Sequence, residues 1–105
     1  MAKSRGRQHT TLTSTARAVI RIIEKLPGIK MIAPGEIASQ RSRSQRITVS
    51  HTTSGLLLTI SGSGIQRVAV HTVDSAVNTQ ILTILQEAKA LKKFIISERT
   101  CMPGQ

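Results

Sequence analysis

The fold is most clearly encoded in residues 46–73, which read RITVSHTTSGLLLTISGSGIQRVAVHTV. Polar and apolar side chains alternate over residues 46–51, which places Ile47 and Val49 on one face of a predicted strand. Two further strands are predicted over residues 56–60 and 65–73, because turns rich in Gly and Ser precede each of them. This segment therefore predicts a three-strand antiparallel meander.

An amphipathic helix is predicted on each side of the meander. Thr13 or Ser14 can cap the first helix, over residues 14–26, which Pro27-Gly28 ends. Asp74 or Ser75 can cap the second. Apolar residues recur at helical spacing in both, namely Ala16, Val19, Ile20, Ile23 and Leu26 in the first and Val77, Ile81, Ile84, Leu85, Ala88 and Leu91 in the second.

Two short strands are expected outside the meander. One covers residues 29–33 and is closed by a Pro34-Gly35 turn, and the other covers residues 94–96. We predict an α+β fold, a two-layer sandwich with one mostly antiparallel sheet of four or five strands and both helices on one face. The domain covers residues 13–99, with 1–12 as a basic flexible arm and 100–105 as a loose tail.

Length and composition exclude several classes of protein. The chain has 105 residues, of which 39% are hydrophobic, and this suits one domain. It contains no run near the ~18 apolar residues of a membrane span, and its basic N-terminus lacks the apolar core of a secretory signal. The single cysteine, Cys101, excludes an internal disulfide framework. We therefore expect a cytoplasmic protein without a membrane partner.

Charge is the most informative property of the composition. Fifteen Lys and Arg against five Asp and Glu give a net charge of +10 and a sequence pI near 11.5. Such a balance in a small domain is typical of proteins that bind a polyanion. Ten of the fifteen basic residues lie within residues 1–46, which contain only two acidic residues.

Three basic segments in this half are candidates for phosphate contacts. Arg17, Arg21 and Lys25 are spaced by four residues, which predicts one row along the first helix. In the Arg/Ser segment, Arg41 and Arg43 would lie about 6–7 Å apart in extended chain, with Arg46 following them. The N-terminal arm adds charges at positions without a fixed geometry, which are Lys3, Arg5 and Arg7. A solvated charged surface is the alternative explanation for each segment.

The near absence of aromatic residues argues against a protein that binds single-stranded nucleic acid. The chain has no Trp, no Tyr and one Phe, whereas a sheet that binds single strands stacks bases on aromatic side chains. The uncovered sheet face would offer Arg46, Thr48, Thr59 and Arg67 instead. We therefore predict a small basic protein that contacts the phosphates of RNA, or less favourably DNA, without catalysis.

Three histidines and the cysteine form a second candidate site. His9, His51, His71 and Cys101 are side chains of the kind that bind zinc, but no two are close in sequence. Alternation places His51 with Ile47 and Val49 on the buried face and His71 with Arg67 on the other. No cofactor is therefore expected. A divalent metal such as zinc is the alternative cofactor, and a metal-binding protein is the alternative function.

An enzyme is not expected, because the five acidic residues are scattered and none forms an evident catalytic pair. A third possibility is a structural subunit of a ribonucleoprotein or protein complex, in which the uncovered sheet face or edge pairs with another chain. The basic charge would then neutralise an acidic partner.

Several short motifs are similar to those of a known family. They are HTTL at 9–12, LPGIK at 26–30, APGEI at 33–37, ITVS at 47–50, GL at 55–56 and GIQRVAV at 64–70. Together they resemble a small prokaryotic family of unknown function, many of whose cyanobacterial and archaeal members are labelled "predicted metal-binding protein". The resemblance covers about residues 9–73 and implies a metal, with His9 as the best-matched candidate ligand.

Overall fold

The computed structural model describes residues 12–38 and 44–99. It confirms an α+β fold with two helices and a five-stranded sheet. The elements in chain order are α1 (Ser14–Ile23), β1 (Ile29–Ala38), β2 (Arg46–Thr52), β3 (Gly55–Ser61), β4 (Ile65–Thr72), α2 (Ser75–Glu87), a short 3-10 helix (Lys89–Leu91) and β5 (Ile95–Arg99).

The sheet has the strand order β1-β4-β3-β2-β5. Strands β2, β3 and β4 form the predicted antiparallel meander, and β1 pairs with β4 in the antiparallel sense. Strand β5 pairs with β2 in the parallel sense, because α2 and the 3-10 helix carry the chain across the sheet before β5 begins. The sheet is therefore mixed, with one parallel pair at its edge.

Helix α1 is shorter than its apolar spacing predicts. Thr13 caps it as expected, with its Oγ1 accepting from the Ala16 backbone N–H at 3.0 Å. The helix ends at Ile23 rather than at residue 26, and the Leu26 N–H donates to the Ile23 carbonyl in a tighter turn. Gly28 then takes a φ of +90°, where an added Cβ would lie 2.6 Å from Val77 Cγ2. The absence of a side chain at Gly28 therefore lets this turn pack closely against α2.

The prediction of a turn at Pro34-Gly35 was wrong, because β1 continues through this dipeptide to Ala38. The register shifts between Pro34 and Ile37, so that two residues of β1 face Arg67 of β4. This is a β-bulge, and an edge strand tolerates a proline because the missing N–H faces away from the ladder.

Both helices pack on one face of the sheet, as predicted. We call this the core face, defined by Ile47, Val49, Leu58, Ile60 and Val68, each with 0% exposure. Apolar residues of the helices complete the core, namely Ala16, Val19, Ile23, Val77, Ile81 and Leu85, with Leu91 of the 3-10 helix. Asp74 caps α2, its Oδ1 accepting from the Ala76 and Val77 N–H groups.

The alternate residues of the same strands form the opposite, open face. Apart from Gly55, its members are partly or fully exposed, among them Arg46, Thr48, Thr59 and Arg67. The period-2 alternation of the strands therefore separates a buried face that stabilises the fold from a face that meets solvent and carries polar residues alongside apolar ones such as Leu57 and Ile95.

Candidate functional site

The first predicted cationic group lies on the outer side of α1. Arg17 and Arg21 are exposed, one turn apart, and line a shallow pocket with Ser14 and Ala18. Lys25 is also exposed but follows the end of the helix, so the prediction of one helical row of three was wrong for this residue. Within residues 12–38 and 44–99, no ion pair joins these three side chains to a carboxylate.

Arg46 lies on a different surface from the α1 arginines. It begins β2 and alternates with the buried Ile47, which places it on the open face, whereas α1 packs on the core face. The sheet therefore stands between Arg46 and the α1 group. The remaining predicted phosphate contacts lie outside the described residues, namely Lys3, Arg5, Arg7, Arg41 and Arg43.

The open face brings together side chains that the sequence only partly predicted. Thr48 of β2 lies opposite Thr59 of β3, which lies opposite Arg67 of β4. Arg99 of β5 is exposed and lies beside Ser50 of β2. The sequence-based analysis missed Arg99, because no local pattern shows which strand β5 joins.

The exposure of the His51 side chain differs from the prediction. Its place in the alternation is as expected, but its side chain is 43% exposed, because β2 runs past Val49, its last buried residue, before ending at Thr52. Its Nε2 contacts Oε2 of Glu98, whose side chain is 40% exposed. Glu98 reaches this position because β5 pairs in parallel with β2, with Glu98 opposite Val49.

His71 lies apart from this pair. It alternates with the buried Val70 and Thr72 and therefore shares the open face with Arg67, as predicted. Its neighbours across the strands are Gly55 and Met31. The two histidines thus project from opposite faces of the sheet, and one ion cannot bind both in this fold.

The other predicted ligands, His9 and Cys101, lie outside the described residues. In the part of the chain that the structure describes, no cluster of three or more His, Cys, Asp or Glu side chains could hold a metal ion. The described residues do bring His51 and Glu98 together as a pair, which offers one imidazole nitrogen and one carboxylate oxygen.

None of the helices within residues 12–38 and 44–99 has both the length and the apolar character that crossing a bilayer requires.

Comparison with known proteins gives one match. No curated protein and no solved structure matches the chain. A family profile matches residues 2–95, which is most of the chain and includes both helices and strands β1 to β4. The chain therefore belongs to the family described as "Predicted metal-binding protein (DUF2103)".

Proposed function

We propose that the protein binds a divalent metal ion and that His51 and Glu98 supply two of its ligands. The observation that carries this proposal is the contact of His51 Nε2 with Glu98 Oε2, from two residues 47 positions apart in the sequence. The description of the family supports a metal ion as the ligand, and of the two proposed ligands His51 lies within the matched residues 2–95 and Glu98 follows them. In this proposal the protein binds the ion and does not catalyse a reaction.

The two donor atoms fit the chemistry of zinc. Histidine nitrogen and glutamate oxygen both bind Zn²⁺, at about 2.0–2.2 Å. His51 Nε2 and Glu98 Oε2 would be the two atoms that hold the ion, and the partial exposure of both side chains leaves them room to move around it.

The stability of the fold does not require the contact between His51 and Glu98. An ion pair between two partly exposed side chains contributes about 0–1 kcal/mol, so folding gains little from it. Structural zinc sites use four ligands, so the pair needs further donors. His9 and Cys101 stay candidates for these positions, and Cys101 follows Glu98 by three residues in the sequence.

The test is metal binding by the full chain, purified without a histidine tag. Isothermal titration with Zn²⁺ should give one ion per chain, and Co²⁺ should give visible absorption bands of a tetrahedral site. His51→Ala and Glu98→Ala should each lower the affinity at least about 10-fold, because losing even an outer-shell partner of a metal ligand costs about 10–100-fold. Cys101→Ser should remove any thiolate-to-cobalt charge-transfer band.

His71→Ala is the matched control, because it removes an imidazole from the opposite face of the same sheet. It should leave Zn²⁺ affinity unchanged. The proposal fails if the wild-type chain binds no stoichiometric metal, or if His51→Ala binds as tightly as wild type while His71→Ala does not.

A second function, binding to nucleic acid through phosphates, has its own supporting observation. Arg17, Arg21 and Arg46 are exposed, and none has a carboxylate partner within the described ranges. Unpaired arginines on a chain of net charge +10 raise the energy of the isolated protein, and a polyanion relieves that repulsion.

Salt dependence tests this second function. If about six phosphates are neutralised, the logarithm of the association constant should fall against the logarithm of salt concentration with a slope of about −4 to −5. Fluorescence anisotropy with a labelled RNA duplex measures this slope. A slope near zero would rule out phosphate binding.

A further inference from the structure

We propose that the open face of the sheet is a docking surface for double-helical RNA. This inference rests on the second function above and names its surface and its partner. Three strands each contribute one exposed arginine to this face, namely Arg46 from β2, Arg67 from β4 and Arg99 from β5. No ion pair joins any of the three to a carboxylate within residues 12–38 and 44–99.

The sheet register sets the spacing of these arginines. Strands lie about 4.8 Å apart and rise about 3.4 Å per residue, so Arg46 and Arg67 have Cα atoms about 12 Å apart. By the same geometry Arg99 lies about 14 Å from Arg46 and about 16 Å from Arg67. A rigid triangle of this size spans several phosphates of a double helix.

Hydroxyl groups lie between the arginines, together with the partly buried Leu57 and with the half-exposed Ile95 beside Arg46. Thr48 and Thr59 pair across β2 and β3 next to Arg67, and Ser50 lies beside Arg99. Hydroxyls donate hydrogen bonds to phosphate oxygens and both donate to and accept from the ribose 2′-hydroxyl. Glu36 lies in the bulge of β1 opposite Arg67, and no ion pair joins the two within the described ranges.

The shape and composition of the face favour an RNA duplex. The chain has no Trp or Tyr, so this face cannot stack the bases of a single strand on such residues. The major groove of B-DNA admits a helix or a two-stranded ribbon rather than a broad sheet. The minor groove of A-form RNA is wide and shallow and displays 2′-hydroxyls, which suits a broad surface that carries arginines and hydroxyls.

A second copy of the chain is a poor occupant of this face, because three arginines would then meet three arginines. Like charges placed opposite each other at an interface oppose association. An acidic protein would satisfy the charges but would make no use of the arrangement of hydroxyls around them. Polyglutamate therefore serves as the probe for that alternative.

The experiment compares two triple variants that remove the same charge. Arg46→Ala, Arg67→Ala and Arg99→Ala together remove three positive charges from the open face, whereas Arg17→Ala, Arg21→Ala and Lys25→Ala remove three from the α1 side. Anisotropy with an RNA duplex is measured across a salt series. The open-face triple should reduce the salt slope by about 2 to 3, and the α1 triple by less than about 1.

A third variant tests the choice of RNA over DNA. Thr48→Val with Thr59→Val removes two hydroxyls and leaves both shape and charge unchanged. It should lower the ratio of RNA to DNA affinity several-fold, with the salt slope unchanged. Urea unfolding of each variant shows that the sheet is retained.

Each contrary result of these experiments would overturn a different part of the proposal. A larger effect of the α1 triple would move the site to α1, overturning this inference while leaving phosphate binding in place. Equal wild-type affinity for RNA and DNA duplexes would overturn the RNA assignment. Tighter binding of polyglutamate than of RNA would overturn the nucleic-acid partner. No salt-dependent binding of RNA by the wild-type chain would overturn both this inference and the function on which it rests.

Discussion

The two faces of the sheet are built from the same strands, yet they differ in almost every property. On β3, Leu56, Leu58 and Ile60 have exposures of 0–1% and pack under the helices. Their neighbours Thr59 and Ser61 point the other way and are partly exposed. Folding depends on the first set and leaves the second set available for binding, so a change at adjacent positions should affect different properties.

The largest expected loss in the free energy of unfolding comes from a substitution on the core face. Leu58→Ala leaves a cavity among side chains that have no exposure, and should lower the free energy of unfolding by about 2–5 kcal/mol. Urea unfolding measures it. The matched control is Leu57→Ala, the same substitution one residue earlier on the open face, where Leu57 is only partly buried. A loss at Leu57 as large as at Leu58 would contradict the division into two faces.

Gln66 is a polar residue on the core face, with 0% exposure. Its Oε1 accepts from the Thr13 N–H at 3.1 Å and its Nε2 donates to the Gly35 carbonyl at 2.9 Å, so it joins the start of α1 to the bulge of β1. Gln66→Leu leaves both backbone groups unsatisfied and should cost about 1–3 kcal/mol of unfolding free energy.

Thermal and urea unfolding of Gln66→Leu, with the exposed Gln80→Leu as control, provide the measurement. An unchanged or increased stability of Gln66→Leu would mean that the apolar environment outweighs these two hydrogen bonds. The two faces would then differ more clearly, since the core face would not need the polar group of Gln66.

The smallest expected change in the free energy of unfolding comes from a substitution on the open face. Thr59→Val keeps the branched shape that strands favour and removes only a partly exposed hydroxyl. The free energy of unfolding should change by less than about 0.5 kcal/mol, as at most surface positions. A loss above about 1 kcal/mol in urea unfolding would show that the open face supports the fold, and would weaken its use as a binding surface.

The same comparison separates the two proposed functions. His51 with Glu98 belongs to the alternation of the core face but lies beyond its buried part, whereas His71 and the three arginines lie on the open face. A metal ion and an RNA duplex would therefore bind on opposite sides of the sheet. Each can be tested with variants that leave the other unchanged.

The sequence alone was sufficient to predict the meander, both helix caps and the identity of most core residues. These features depend on neighbours within a few positions, such as the alternation of Ile47 and Val49 or the bonds of Asp74 to the next N–H groups. The placement of His71 with Arg67 and away from His51 followed from the same period of two.

Only the tertiary structure decided which distant residues meet. Strand β5 pairs with β2 across more than forty positions of chain, and that pairing brings Glu98 to His51 and Arg99 to Ser50. The continuation of β1 through Pro34 depends on its edge position beside β4, and the turn after α1 packs through Gly28 against Val77 of α2. Local periodicity carries no information about such contacts, because register and strand order are set by how the whole core packs.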